Sequence, residues 1–410
     1  MNALLFNAGS SSLKSTLIRL ETGEVLARGT CDWASAEPHV EFALGTAAPI
    51  QEQIDSRGYG QAVDRILQDL VASSAISSLA EIHVVGHRIV HGGPFRSAIR
   101  ITDAVRRQIG DLIDLAPLHN PPSLETLAAA ERALPQPPHI ATFDTAFYAT
   151  LPPEAYTYPV PAAWTEEWGI RRYGFHGLSH SYCAQRAAEL LSRSPAELKI
   201  VSCHLGHGCS VAAVDGGVCR DTTMGYTPLE GLMMGTRSGS IDPGVLLHVQ
   251  KTHGLSAGDL ETILNRQSGL LGVSRISGDM RSVLAAASSG DPSARLAIEI
   301  YVHRIRQAIG SMAASLGGID ALVFTAGVGE HSAPIRSAVC ERLGFLGLQL
   351  APDRNAAAHS DAVISERGSR TAILVVTCRE DLSMLAEIRT VLRNPRESGS
   401  AASTESSTGK

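Results

Sequence analysis

At 410 residues the chain is long enough for two or three domains with sizeable cores. Hydrophobic residues at 44% against 19% charged exclude overall disorder, and a net charge of −6 offers no basic footprint for nucleic acid. Seven cysteines, odd in number and without a C-x-x-C pair, argue against a zinc ribbon or a disulfide framework and fit reduced thiols in a cytoplasmic protein. No stretch approaches the roughly 18 apolar residues of a membrane span. Met1–Phe6 lacks a basic flank and is interrupted by Asn7-Ala8-Gly9, so no signal peptide is expected.

In chain order, Leu4-Leu5-Phe6 reads as a buried strand, 8–12 as a small polar turn, and Leu13–Leu20 as a second strand that turns through Glu21-Thr22-Gly23-Glu24 into a third. Helical spacing follows at 61–72 and 103–115, the second opened by Thr102 and Asp103. Ile82–Val90 is an apolar strand. Pro117, Pro121 and Pro122 are expected to break the chain before a helix at 123–134, and His139–Phe143 is a strand ending on Asp144. The second half repeats this grammar: strands at 199–204, 210–215 and 218–221, helices at 242–252, 258–266 and 292–316, strands at 320–325 and 371–377, and a last helix at 380–393. The closing stretch 395–410 is rich in Ser, Thr, Gly and Ala and is expected to be a disordered tail.

P-loop and Rossmann fingerprints are both absent. In their place stand three small-residue turns. Asn7-Ala8-Gly9-Ser10-Ser11-Ser12-Leu13-Lys14 joins strand to strand, with backbone N–H groups, hydroxyls and the Lys14 charge available to an anion. An ordinary hairpin turn would also account for it. His204-Leu205-Gly206-His207-Gly208 opens the strand pair of the second half, and Gly327-Val328-Gly329-Glu330-His331 follows a buried strand. Gly254-Leu255-Ser256-Ala257-Gly258 matches a nucleophile elbow by letter, but a helix precedes it where the elbow needs a strand, and Ser256 with Asp259 reads as a helix cap. His176 and His180 are four apart, yet Gly174 and Gly177 favour a loop with Ser179 capping the next helix. One functional histidine is therefore expected there, not a metal pair.

The three turns, two of them opening strand pairs in separate halves, resemble the actin-like ATPase superfamily. Longer blocks narrow the resemblance to the acetate and propionate kinase family: Asn7–Lys14, Gly86-His-Arg88-Ile-Val90-His-Gly-Gly93, Phe143–Phe147, Arg172–Gly177, Asp221–Gly239, Ser268–Gly272, Asp279-Met280-Arg281 and Phe324–Glu330, collinear over nearly the whole chain. The resemblance implies an α/β fold of two actin-like (ribonuclease H-like) domains with an interdomain nucleotide cleft. The first domain is expected at 1–147 with a returning helix at 382–394, and the second at 148–381. It also implies reversible transfer between Mg·ATP (or Mn·ATP) and a short carboxylate, acetate first and propionate or butyrate as alternatives, in a homodimer without nucleic-acid or membrane partners.

Carried over by position, Arg88, Asp144, His176 and Arg237 are the catalytic set, and Asn7 and Glu380 serve the metal. Arg88, Val90, Leu118, Phe175 and Pro228 bind the acid. Ser10, Ser12, Lys14, His204, Leu205, Gly206, His207, Gly208, Asp279, Met280, Arg281, Gly327, Val328, Gly329, Glu330 and His331 bind the nucleotide. The residue types suit the chemistry, because two anions can meet only between fixed cations, and arginine engages oxygens in pairs without deprotonating. The acceptor carboxylate is already ionised near neutrality, so Asp144 is expected to orient a group or serve the metal rather than act as a base. A catalytically silent nucleotide-binding relative is the rival class. The presence of Arg88, Asp144, His176, Arg237 and Glu380 favours the enzyme. The sequence departs from the family at His207 and His331, where Asn is usual, at Leu178, where Thr is common, and at Thr377-Cys378-Arg379-Glu380-Asp381.

Overall fold

The computed structural model describes residues 1–33, 37–54 and 58–394. The expected tail at 395–410 lies outside them. The chain divides into two compact units, Met1–Phe147 with the segment from Arg379, and Tyr148–Cys378.

In the first unit, β1 (Asn2–Ala8), β2 (Ser12–Arg19), β3 (Val25–Asp32), β4 (His39–Leu44) and β5 (Ile50–Gln53) form an antiparallel meander, while β6 (Ile82–Ile89), β7 (Ile99–Arg100) and β8 (His139–Phe143) lie on the other side of β1. The sheet order is β5-β4-β3-β2-β1-β6-β8-β7, with β1, β6 and β8 mutually parallel. β4 and β5 are additions that the sequence did not announce. Every residue of β5 is exposed, so it carries no apolar alternation to read.

Alternation along β6 divides the core between the two faces of the sheet. Val85 joins a buried cluster with Val63, Ile66, Ala129 and Ala130 from the helices Tyr59–Ala72 and Asn120–Ala133. Gly86 faces the closing helix Glu380–Arg393. A Cβ there would come within 2.6 Å of Ile388 Cδ1 and 2.7 Å of Leu5 Cδ2, so a side chain at 86 would displace both from the helix–sheet contact. The helix expected from 123 begins three residues earlier, with Pro121 and Pro122 inside its first turn. Proline fits there because first-turn N–H groups have no intrahelical acceptor. The 103–115 helix ends at Gly110, and a separate 3₁₀ turn covers Ile113–Leu115.

The second unit contains β9 (Lys199–Leu205), β10 (Cys209–Asp215), β11 (Val218–Thr222), β12 (Ala321–Thr325), β13 (Ala362–Val363) and β14 (Ala372–Val375) in the order β11-β10-β9-β12-β14-β13. Three antiparallel strands lead into two parallel ones, β9 pairing with β12 and β12 with β14. This repeats β3-β2-β1-β6-β8, so both units carry the actin-like strand order. The 25-residue helix Pro292–Leu316 is capped by Asp291 and ends on Gly317. Ser256 and Asp259 form a capping box after the helix Pro243–His253, which agrees with rejection of the nucleophile elbow. All seven cysteines are free. No helix among the described residues is long and apolar enough to cross a membrane.

One polar feature lies inside the first unit's sheet. His139 Nε2 lies 2.9 Å from the Leu134 carbonyl and therefore donates, which leaves Nδ1 to accept from His87 Nε2 at 3.0 Å. His87 Nδ1 is buried without a partner. Burial holds both imidazoles below their ordinary range. Each group's folded pKa is depressed, so its contribution to stability is complete above the ordinary value of 6.5 and is lost as pH falls below it. Urea unfolding followed from neutrality down to about pH 5 should lose up to about 1.4 kcal/mol per pH unit for each such group. His87→Gln keeps a donor to His139 and should flatten that slope. An unchanged slope would remove His87 from the acid sensitivity.

Candidate active site

In each unit candidate side chains gather at the carboxyl ends of the parallel strands, where open α/β sheets present their ligands. In the first unit β1, β6 and β8 run side by side, with Phe6 opposite His87 and Arg88 opposite Thr142, so Asn7, Arg88 and Asp144 emerge together. Asp144 is completely buried. Arg88 donates to its two oxygens from Nε at 3.0 Å and Nη2 at 2.5 Å, and from Nη1 to Asn7 Oδ1 at 3.0 Å. The closing helix brings Glu380 to 3.6 Å from Arg88 Nη1, and Asn7 Nδ2 reaches the same carboxylate at 3.4 Å. Burial raises the Glu380 carboxyl above its ordinary range, with Arg88 opposing. One guanidinium thus organises three hard-oxygen side chains. Ser10 and Lys14 are exposed and Ser12 is half-buried on the β1–β2 turn, which Gly9 N closes onto Ser12 O at 2.8 Å. Val90 is buried, and Leu118 is partly exposed.

The second unit corrects the loop expected around His176. The helix Gly177–Leu190 begins immediately after His176, and Ser179 and His180 lie inside it. His176 is the residue before the helix, with φ 57, a left-handed conformation uncommon for residues other than glycine. Cross-strand pairing sets Ser210 opposite His204 and Ala212 opposite Ser202, so Ser202, His204 and Ser210 share one face of β9 and β10. The helix packs on that face. Ser210 Oγ lies 2.9 Å from His176 Nδ1 and 2.8 Å from His180 Nε2, and His180 Nδ1 lies 2.9 Å from Ser202 Oγ. Ser179, expected as a cap, instead bonds His204 Nδ1 at 2.8 Å, and His204 stacks on His176 with ring centroids 4.1 Å apart. Burial holds His180 well below its ordinary range and keeps it neutral. His180 is thus an anchor for His176 rather than a metal partner. The i, i+4 spacing was the available signal. What hid its meaning was that the shared partner, Ser210, lies thirty-four residues away on a strand.

Arg237 comes from an irregular segment and lies close to the same turn. A Cβ on Gly208 would stand 3.3 Å from His176 Nε2 and 3.6 Å from Arg237 Nη1. Arg237 Nη1 donates to the Pro228 carbonyl at 3.4 Å, and burial pulls the guanidinium below its ordinary range. His207 is exposed, its carbonyl accepting from Gly235 N at 3.1 Å. Phe175 and Leu205 are fully buried, and Pro228 is partly exposed.

Asp279 caps the helix Met280–Ser288 through Arg281 N at 2.8 Å and pairs with the exposed Arg281 at 2.6 Å. The Met280 side chain is buried, leaving its backbone for any ligand. The turn expected at 327–331 is a short helix, Ala326–His331, entered through Ala326 at φ 64. Glu330 spends its carboxylate on Ala326 N at 2.8 Å and Cys378 N at 2.9 Å, closing the turn, while Gly327 is exposed at its start and Val328 half-buried. Arg336, which sequence reasoning missed, is buried and donates to the Gly329 and Glu330 carbonyls at 3.0 and 2.6 Å.

Comparison with known proteins finds relatives over nearly the whole chain. The model of the acetokinase family matches residues 2–387. The acetate kinase of Gloeobacter violaceus is 47% identical over 401 residues, covering 94% of this chain and 98% of that protein. The acetate kinase of Synechocystis sp. is 49% identical over 395 residues, 93% and 95% of the two chains. Among solved structures, the acetate kinase of Porphyromonas gingivalis superposes with a TM-score of 0.88 at 38% identity, covering 95% of this chain and 99% of that one. A propionate kinase from Francisella tularensis gives 0.87 at 37% identity, covering 94% and 98%.

The geometry of the first unit makes folding depend on Asp144. Asp144→Ala leaves Arg88 in place with its principal counter-charge gone, and breaking a buried pair by removing one partner costs about 3–5 kcal/mol. Urea unfolding should show that loss, and Asp144→Asn, which keeps one acceptor oxygen, should recover part of it. Wild-type stability in Asp144→Ala would mean that Arg88 is adequately solvated without it.

Proposed function

The chain belongs to the acetokinase family, and on that premise we propose that it transfers the γ-phosphoryl group of ATP reversibly to the carboxylate of acetate, giving acetyl phosphate and ADP. The observation that carries the reading is a permanently cationic guanidinium at each family position, Arg88 held by Asp144 and Asn7, and Arg237 beside His176 across Gly208. Transfer between two anions requires such fixed positive charge, and little covalent work is left to the protein. Arg88 and Arg237 are assigned to the acyl carboxylate and the phosphoryl group in transfer. His176, its Nδ1 anchored on Ser210, donates to the phosphoryl oxygens. Asp144 is committed to Arg88 through both oxygens, which suits an orienting role and not that of a base.

Asn7 and Glu380 present hard oxygens close to one another and would hold Mg²⁺ or Mn²⁺. A bound ion supplies neutralisation of phosphate charge. Ser10, Ser12 and Lys14 of the first unit, with His204–Gly208, Asp279–Arg281 and Gly327–His331 of the second, are assigned to the nucleotide. Val90, Leu118, Phe175 and Pro228 are assigned to the short alkyl group. The same reading includes a homodimer: the helix Pro243–His253 has no buried residue and exposes Val245 and Leu247, next to an exposed Ile241, an apolar face that a second copy would cover. A cytoplasmic location is included because all seven thiols are free.

Hydroxamate trapping of acyl phosphate, with ATP and acetate, propionate or butyrate in parallel, tests the reaction and its substrate together. Acetate should be best and propionate second, by about 10–200-fold for the added methylene. Butyrate should be poor, and excess chelator should abolish turnover until Mg²⁺ is returned. A preference for propionate would move the assignment to the other branch of the family, and turnover in excess chelator would remove the metal role of Asn7 and Glu380.

The arginines are tested separately. Arg88→Ala and Arg237→Ala should each lose about 10³–10⁵ in kcat, the range for a well-placed arginine in phosphoryl transfer. Lysine at either position should restore only part, because a point charge lacks the planar fork. Near-normal turnover in either alanine variant would take that residue out of the reaction.

A further inference from the structure

From Thr223 to Asp242 the second unit has no helix or strand, yet this segment carries Pro228 and Arg237. Backbone bonds hold its later part, with Ser240 N donating to the Gly231 carbonyl at 2.9 Å and Gly235 N to the His207 carbonyl at 3.1 Å. Its first part gathers around one guanidinium. Arg172 donates from Nη1 to the carbonyls of Thr223 at 3.2 Å and Met224 at 3.1 Å, from Nη2 to Glu230 Oε1 at 2.9 Å, and from Nε to the Ala155 carbonyl at 3.2 Å. Tyr158 OH donates to the other oxygen of Glu230 and accepts from Tyr226 N at 2.9 Å. The Arg172 guanidinium also lies 5.5 Å from the centre of the Tyr158 ring. A side chain on Gly225 would overlap both the Glu230 carboxylate and the Tyr158 hydroxyl and force that pair apart. Tyr173 N, next in sequence to Arg172, bonds the Gly225 carbonyl at 3.0 Å.

We propose that Arg172, Glu230 and Tyr158 form a brace that positions the acyl-binding loop of the second unit and thereby sets discrimination between acetate and propionate. The inference rests on the reading of Phe175 and Pro228 as acyl-binding side chains. Arg172 sits three residues before Phe175 and four before His176, and its bonds to Thr223, Met224 and Glu230 flank Pro228 from the other side. The bond from Arg237 to the Pro228 carbonyl carries the same constraint to the catalytic arginine. All three brace residues are positioning residues, since none of them is assigned to substrate. The arginine fork is essential to the arrangement, because one planar group serves four separate acceptors, which a lysine ammonium with its three donors cannot reproduce. Burial, then its bond to Glu230, pushes the Tyr158 phenol well above its ordinary range and keeps it a donor.

A cavity of about 320 Å³ adjoins this guanidinium, lined by Arg172, Thr223, Glu230, Arg304 and Gln307 among others. Free guanidinium can therefore reach the space that a truncated Arg172 would leave. The test compares Arg172→Ala, Arg172→Lys, Tyr158→Phe and, as a direct pocket change, Pro228→Ala, with kcat and KM measured for acetate, propionate and ATP. Arg172→Ala should raise KM for acetate by about 10–100-fold, the scale of an ångström misplacement, lower the acetate-to-propionate ratio of kcat/KM, and leave KM for ATP unchanged. Arg172→Lys should fall between it and the wild type. Millimolar guanidinium chloride should restore the ratio in Arg172→Ala where sodium chloride at equal ionic strength does not.

An equal loss towards both acids and ATP, or a lowered unfolding temperature with the ratio intact, would make the cluster merely structural and overturn the proposal. Should Arg172→Ala fail to fold, Tyr158→Phe, which leaves the Arg172–Glu230 pair standing, must shift the ratio in the same direction, and an unchanged ratio there overturns it. If Pro228→Ala moves the ratio and the brace variants do not, the brace fails while the acyl-pocket reading stands. If Pro228→Ala also leaves it unchanged, the pocket reading falls and the brace with it.

Discussion

A guanidinium that must stay charged inside a protein dictates much of what surrounds it. Arg88 is only 14% exposed and cannot shed its proton, so its donors must be met by protein oxygens. Asp144 and Asn7 meet them, and Glu380 lies within reach. Each of these comes from a different element, and each element is constrained by that duty. β1, β6 and β8 must be parallel and in register so that Asn7, Arg88 and Asp144 end side by side. The closing helix must approach closely enough to deliver Glu380, which the missing side chain of Gly86 permits. A sheet, a helix and a glycine are thus tied to one charge. Preorganisation of this kind is how a site places cations against developing negative charge without reorganising during the reaction.

The second unit solves a different problem with neutral groups. His176 must hold one ring orientation, and a single hydrogen bond from a serine leaves the serine itself free to turn. Ser210 is held in turn by His180, and His180 by Ser202. The chain is buried, and His180 remains uncharged because charging it would cost desolvation with no counter-ion. Around Arg237, Gly208 leaves room beside His176, and Nη1 donates a hydrogen bond to the Pro228 carbonyl. The left-handed backbone at His176 and at Ala326 places the two strained non-glycine residues of this unit's site at the entries of the two helices that flank β9 and β12. Strain of this sort persists where surrounding contacts over-determine the conformation.

Several charged side chains that a motif reader assigns to ligand are occupied in holding the protein together. Glu330 closes its own turn on Ala326 and Cys378. Asp279 caps a helix, and its salt bridge to Arg281 lies at the surface, where such pairs contribute little to stability. The buried Arg336, which belongs to none of the expected sets, secures the Gly329 and Glu330 carbonyls. Side chains that shape a turn need not be the ones it presents.

The sequence by itself determined the strands and helices whose signals are local. The 3.6-residue spacing of Pro292–Leu316, its Asp291 cap and its Gly317 stop are all adjacent in the chain, as are the capping box at Ser256 and the Asn7–Lys14 hairpin turn. Family resemblance then supplied the residue sets, because long collinear blocks survive as letters. Tertiary structure decided what depends on pairs distant in sequence. Ser179 looks like a cap until β9 brings His204 to it, and His180 looks like half of a metal pair until β10 brings Ser210. Arg172 is one arginine among several until the 223–230 segment folds back over it. β5, with every residue exposed, has no amphipathic pattern and exists only as the partner of β4. In each case the deciding bond joins residues that are brought together by chain folding, and no window of sequence contains both ends of it.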